Sequence, residues 1–257
     1  MDFVRSSRSV ALRFVAGRGH YETVIQAVRS ARTSIWIATA NLKELMVEDL
    51  RWSLRRRRRG ATSFRSVIEI FDELVAAGVE IRLLHAAPPS QPFRQELARH
   101  ARLAPLRAPR KPTHDETGSG LVTVRPRGRS ASGLFSKPQP SMKGMGPGRF
   151  EMRLCPRVHL KAVIVDGEFL YLGSANWTGA GIGAKGAGRR NFELGIVTDD
   201  APLLDDVQEI FDRIWRGAEC SACKLREVCP RPLDVVSAGR PETPVPATSF
   251  SGQSKIP

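Results

Sequence analysis

The chain has 257 residues, with 40 Lys/Arg against 26 Asp/Glu and a formal net charge of +14. That length buries a full core and makes one domain the expectation, and the charge points to a polyanionic partner. No apolar run is long enough to span a bilayer, so no stable membrane insertion is expected.

Residues 1–19 form a basic, weakly patterned segment. Arg5, Arg8, Arg13 and Arg18 break its short apolar stretches, which makes a poor signal peptide and leaves the cytoplasm as the expected location. Tyr21, Val24, Ile25 and Val28 then recur at helical spacing. Residues 33–38 read as a strand. Asn41 is placed to cap a helix carrying Leu42, Leu45, Met46 and Leu50. Five arginines run from 55 to 59. They suit either a solvated helix end, where cations complement the dipole, or a patch that contacts phosphates. Val67, Ile68, Phe71, Leu74 and Val75 make an amphipathic helix ending near Gly78, and residues 80–84 make the next strand. His85, where that strand runs out, is read as structural. Phe93, Leu97 and Ala101 mark a further helix. This alternation indicates a mixed sheet covered by helices.

Residues 104–150 interrupt the pattern with seven Pro, seven Gly and five Ser. Such a stretch buries too little apolar surface to offset its ordering entropy, so a disordered insertion is expected inside a domain spanning 20–233. It holds nine Lys/Arg against two Asp/Glu, half of the net charge. The basic signal of the folded part is therefore modest.

Residues 158–165 are β-branched and apolar except for His159 and Lys161, and Asp166-Gly167 is a strong hairpin signal before the apolar run 169–172. Alternation along a strand sends His159 and Lys161 to one face and Leu160, Ala162 and Ile164 to the other. An imidazole beside an ammonium suits a phosphodiester. The first attacks phosphorus or moves a proton near neutral pH, and the second holds a non-bridging oxygen. Ser174 and Asn176 add hydrogen-bond donors after the second strand, and Gly173 is expected to let the backbone approach substrate. Residues 179–188 are Gly-rich and read as a flexible loop over the site, from which Lys185, Arg189 and Arg190 reach a phosphate backbone. Residues 192–198 form another strand, bearing Glu193. Leu203, Leu204, Val207, Ile210, Phe211, Ile214 and Trp215 form a core-packing helix stripe stopped by Gly217. Residues 234–257 are expected to be a disordered tail.

The spacing His-x-Lys-x4-Asp followed by Gly-Ser-x-Asn resembles the HKD signature of the phospholipase D superfamily, matched by His159, Lys161, Asp166, Gly173, Ser174 and Asn176. The resemblance covers roughly residues 20–102 and 154–216. It implies an α/β fold, a phospholipase D-like mixed sheet flanked by helices, with one HKD half-unit per chain. It also implies a phosphohistidine formed on His159, phosphate held by Lys161, Ser174 and Asn176, and no metal in the chemistry. Glu193 would accept a hydrogen bond from the imidazole. Asp166 completes the catalytic set, although the turn itself wants Asp-Gly and alternation puts Asp166 off the His159 face, which favours a structural role. Family members that act as monomers carry two such motifs. This chain has one, so a homodimer that completes the site is expected.

All four cysteines fit one pattern, Cys155 followed by Cys220-x2-Cys223-x5-Cys229, with 220–229 as a Cys-rich segment. This spacing suits a structural zinc site. It also resembles the iron–sulfur staple of some nucleases and helicase-nucleases, and the two occupants stay open. The expected function is a metal-independent phosphodiesterase, a nuclease on DNA or RNA. The alternatives are a phospholipid headgroup hydrolase or transferase, and a catalytically silent nucleic-acid-binding subunit. The half-unit with a cysteine tail also resembles the phospholipase D-like components of DISARM-type phage-defence loci, where a larger complex is expected.

Overall fold

A computed structural model describes residues 4–49, 63–103 and 148–237. The arginine run at 55–59, residues 104–147 of the insertion and residues 238–257 of the tail lie outside the described residues.

The first strand, β1 (Arg13–Ala16), lies within the segment read as unpatterned. Only Val15 of its four residues is buried, so its sequence carries little apolar alternation. Pairing with a partner strand, not its own pattern, makes it a strand. Helix α1 (Arg18–Arg29) follows and buries Tyr21, Val24, Ile25 and Val28, as the spacing requires. Strand β2 (Ser34–Thr39) comes next. No helix starts at Asn41. Leu42 bridges to Trp177, and Met46–Glu48 form a short strand, β3, paired with β4 (Phe64–Ser66). Leu42, Leu45 and Val47 are all buried, so their burial is served by an extended segment lying across the core.

Ser66 and Glu69 form a reciprocal capping box that starts α2 (Val67–Ala76). Strand β5 (Glu80–His85) and helix α3 (Gln91–Leu97) follow. The described chain resumes at Gly148, inside the expected insertion 104–150. Gly148 packs where an added Cβ would lie 2.4 Å from the Val79 carbonyl, and Phe150 is buried at the start of β6 (Phe150–Leu154). The hairpin strands are β7 (Ala162–Val165) and β8 (Phe169–Gly173). After β9 (Leu194–Thr198) come α4 (Ala201–Trp215) and a short α5 (Leu233–Ser237), the latter occupying the start of the expected tail.

One seven-stranded sheet runs β1-β9-β8-β7-β2-β5-β6. The β2–β5 and β5–β6 pairs are parallel, and the others are antiparallel. Alternation sorts the side chains cleanly. Ile35, Ile37, Ile81, Leu83, Val163, Val165 and Tyr171 face one core with α1 and α2. Ala38, Leu84, Ala162, Ile164 and Leu170 face the other, under Leu204, Val207, Phe211 and Trp215 of α4. Helices on both faces bury the central strands completely, which explains their near-continuous apolar runs.

Candidate active site

The carboxyl ends of β2 and β8 and the amino ends of β7 and β9 meet at one end of the sheet, since Ala38 pairs with Ala162 and Gly173 with Gly195. His159 and Lys161 stand just before β7, after the buried Val158; the expected strand 158–165 begins only at Ala162, so strand alternation does not set their directions, and their own contact does. Lys161 Nζ lies 3.1 Å from His159 Nδ1 and 3.0 Å from Nε2. With nearly equal distances, the ammonium selects neither ring nitrogen as its acceptor. It is also 3.0 Å from the His159 carbonyl oxygen. The imidazole is exposed. Burial lowers the Lys161 pKa from its ordinary 10.5, and the Glu193 charge opposes that shift.

Asn176 is held by an element with no obvious link to it in sequence. Its Oδ1 accepts from the Asn41 backbone N–H at 3.0 Å and lies 3.3 Å from the Thr39 hydroxyl. A backbone N–H only donates, so the amide oxygen must occupy this side and the two amide hydrogens the other. Thr39 in turn accepts from the Trp177 N–H at 2.9 Å, and the Lys43 N–H donates to the Trp177 carbonyl. The loop after β2 thus fixes the Ser-x-Asn turn. Thr39 and Asn41 were not legible as site supports, because only the fold brings residues 39–43 beside 174–178.

Ser174 and Glu193 form a pair of their own. The Ser174 hydroxyl donates to the Glu193 carboxylate, and Ser174 Oγ accepts from the Leu194 N–H at 3.1 Å. The other carboxylate oxygen of Glu193 accepts from Asn191 Nδ2 at 3.1 Å. The expected Glu193–His159 hydrogen bond is not formed. The antiparallel register of β8 with β9 brings Ser174 opposite Leu194, one residue from Glu193, whose carboxylate takes the Ser174 hydroxyl. His20, which starts no H-x-K, is fully buried next to the Glu193 backbone. Its Nε2–H donates to the Glu193 carbonyl at 3.1 Å, and its ring meets Tyr171 edge-on.

Two other expected site residues have different roles, and His85 is structural as expected. A Cβ on Gly173 would meet the Tyr171 hydroxyl at 2.4 Å, and one on Gly195 would meet the Tyr171 ring at 2.5 Å. This glycine pair makes room for Tyr171, not for substrate. Burial pushes the Tyr171 phenol up to about 12, so it stays neutral. Asp166 lies at the far end of β7. Its carboxylate accepts from the backbone N–H groups of Arg32, Thr33 and Ser34 at 2.8, 2.8 and 2.9 Å, and its φ of 54° closes the turn. It ties β7 to the start of β2 and takes no part in the site. His85 is buried, and its Nδ1–H donates to the Ala87 carbonyl at 2.9 Å; burial lowers its pKa.

The Gly-rich loop is packed, not free. Ile182 is buried, its N–H bonds the Thr178 carbonyl, and the Asn191 N–H bonds the Ala180 carbonyl. Lys185 and Arg189 are exposed on it, and Arg190 is half-buried. The four cysteines gather at the β6 edge of the same end, since Leu154 is in register with His85 and Thr39 and Cys155 follows it. All of them line one small cavity of about 20 Å³ with Leu154, Arg157 and Leu233. No group of three or more His, Cys, Asp or Glu among the described residues is arranged to hold a metal ion.

An imidazole and an ammonium at an open sheet end, backed by amide hydrogens with no acceptor on their own chain's Asn41 side, make a site for a tetrahedral oxyanion. The chain belongs to the phospholipase D-like family: the family described as cardiolipin synthase, PLD-like domain, matches residues 24–215. No curated protein matches it. Among solved structures it is similar to NucT from Helicobacter pylori, at 12% identity and a TM-score of 0.45, covering 80% of this chain and 95% of that one. The phospholipase D family member Nuc from Salmonella typhimurium matches at 13% identity and a TM-score of 0.45, with the same coverage. The archaeal chromatin protein TrmBL2 matches at 12% identity and a TM-score of 0.39, covering 80% of this chain and 52% of that one.

Proposed function

We propose that this chain is a phosphodiesterase whose substrate is nucleic acid and whose nucleophile is His159. The observation that carries this reading is the Lys161 ammonium seated within 3.1 Å of both ring nitrogens of an exposed imidazole. A phosphodiester entering there has one oxygen neutralised by Lys161 while phosphorus faces the imidazole. A ring nitrogen of His159 forms the P–N bond and the leaving oxygen departs with the bonding pair. That oxygen needs a proton, and a second imidazole must supply it. Water then cleaves the P–N bond. Asn176 donates to the phosphate from its free amide hydrogens. The Ser174 proton is committed to Glu193, so these two residues act as a unit that sets the charge beside Lys161. The four cysteines stand outside this chemistry, which needs no metal.

The second imidazole comes from the partner's His159 in a homodimer. Exposed Phe14, Phe192 and Leu194 beside the site give that dimer an apolar surface to cover. The net charge of +14 favours DNA or RNA over a neutral substrate. Membership of a DISARM-type defence complex is a further reading that genomic neighbours test.

The test is incubation of the full chain with DNA, RNA and phospholipid vesicles, with and without chelator, for wild type, His159→Ala and Lys161→Ala. Cleavage of nucleic acid is expected to persist in chelator, to vanish in His159→Ala, and to fall about 100- to 1000-fold in Lys161→Ala. Wild-type rates in His159→Ala would overturn the mechanism. Nucleic-acid binding without cleavage would leave the chain a binding subunit, and cleavage of lipid alone would move the substrate class.

A further inference from the structure

The residues that the proposed reaction leaves unused include four thiols brought to one place by the fold. Cys155 follows β6 directly, whereas Cys220, Cys223 and Cys229 belong to turns after α4. Each is half-buried, none is in a disulfide, and all four line the cavity of about 20 Å³. We propose that Cys155, Cys220, Cys223 and Cys229 form a four-thiolate centre for a thiophilic metal, either one zinc ion or one iron–sulfur cluster, that clasps these turns to the segment carrying His159.

Two observations support it. The first is the donor set: four sulfurs with no competing carboxylate or imidazole around the cavity suit zinc or iron–sulfur, and no hard cation. The second is the packing of the turns. Residues 217–232 contain no helix or strand and expose Leu225 and Val228. Apolar burial alone does not hold such a segment, and small cores commonly add a metal staple in its place.

The sulfurs share the cavity without standing in coordinating geometry. Turning a cysteine side chain between staggered rotamers moves its sulfur by about 3 Å, and closure of the centre draws on such turns. Binding releases the thiol protons that remain. The consequence reaches the active site through the chain itself. The Cys155 N–H bonds the His85 carbonyl, and the Val158 N–H bonds the Cys155 carbonyl, one residue before His159.

The test is metal and sulfide analysis of full chain purified without oxygen, with native mass measurement and a visible spectrum. About one zinc per chain, or iron with matching acid-labile sulfide, is expected. Cys155→Ser and Cys223→Ser should each lower that content at least tenfold. Stripping wild type with a strong chelator should lower its Tm and speed amide exchange across residues 155–161. If neither variant folds, the wild-type stoichiometry and the protection of its thiols from titration decide. Four freely titratable thiols and no metal, a disulfide between any two of them, or metal that persists in folded Cys155→Ser would each overturn the proposal.

Discussion

At the scale of the residue, Lys161 has two neighbours that pull in opposite directions. Burial lowers its pKa, and the Glu193 charge raises it. Lys161 serves a phosphate only while protonated, so its contribution is present at low pH and is lost as pH rises through a value below 10.5. Glu193→Gln removes the charge that opposes the shift. The alkaline limb of the pH–rate profile should therefore move to lower pH, while the rate near neutrality falls less than in Lys161→Ala. An unchanged alkaline limb would show that Lys161 does not feel Glu193. The same residues explain why a motif match is not a list of catalysts. Gly173 fits the signature because of Tyr171, and Asp166 fits it because of a turn.

At the scale of the element, the β7–β8 hairpin is placed by its turn. Three consecutive N–H groups at the start of β2 end on one Asp166 carboxylate, so this side chain sets the register of β7 against β2. Burial alone would raise its pKa, but the bonds from Ser34, Thr33 and Arg32 outweigh it and hold the carboxyl below 3.8. A depressed carboxylate pKa stabilises the fold above the unfolded value and loses that contribution as pH falls through the folded one. Asp166→Ala should cost about 1–3 kcal/mol near neutral pH, by leaving backbone donors unmet. Asp166→Asn keeps an acceptor and tolerates the positive φ, so it should lose less and should flatten the acid limb. Denaturant midpoints at neutral pH and below pH 3.8 check both. The start of α4 behaves alike. The Arg8 guanidinium beside Asp200 holds the capping carboxyl down to about 2, which docks the N-terminal segment on this helix.

At the scale of the whole molecule, the proposed reaction asks for two imidazoles. Among the described residues one exposed imidazole faces the open sheet end, and the proposed reaction needs two. Light scattering on the full chain should give twice the chain mass. Mixed dimers of wild type with His159→Ala should turn over far less than half as fast per wild-type chain. Phe192→Asp, placed on a fully exposed apolar side chain outside both cores, should weaken the dimer and leave the thermal stability of the fold unchanged. A monomer with full activity would remove the second imidazole from the mechanism.

The His-x-Lys pair, the strands that flank it and the faces of α1, α2 and α4 were legible in the chain, because alternation and helical period are local properties. So was the gathering of four cysteines, which line one cavity. Other features were decided only by tertiary contact. β1 is a strand because β9 is beside it, and residues 42–48 are extended because a core position, not a helical stripe, takes their apolar side chains. Asn176 presents its amide hydrogens because Asn41, remote in sequence, holds its oxygen. Glu193 bonds Ser174 and not His159 because strand pairing brings Ser174 opposite the next residue, Leu194. Sequence carries the period of a segment and the chemistry of its side chains; which groups end within 3 Å of each other depends on register, and register is set by the sheet as a whole.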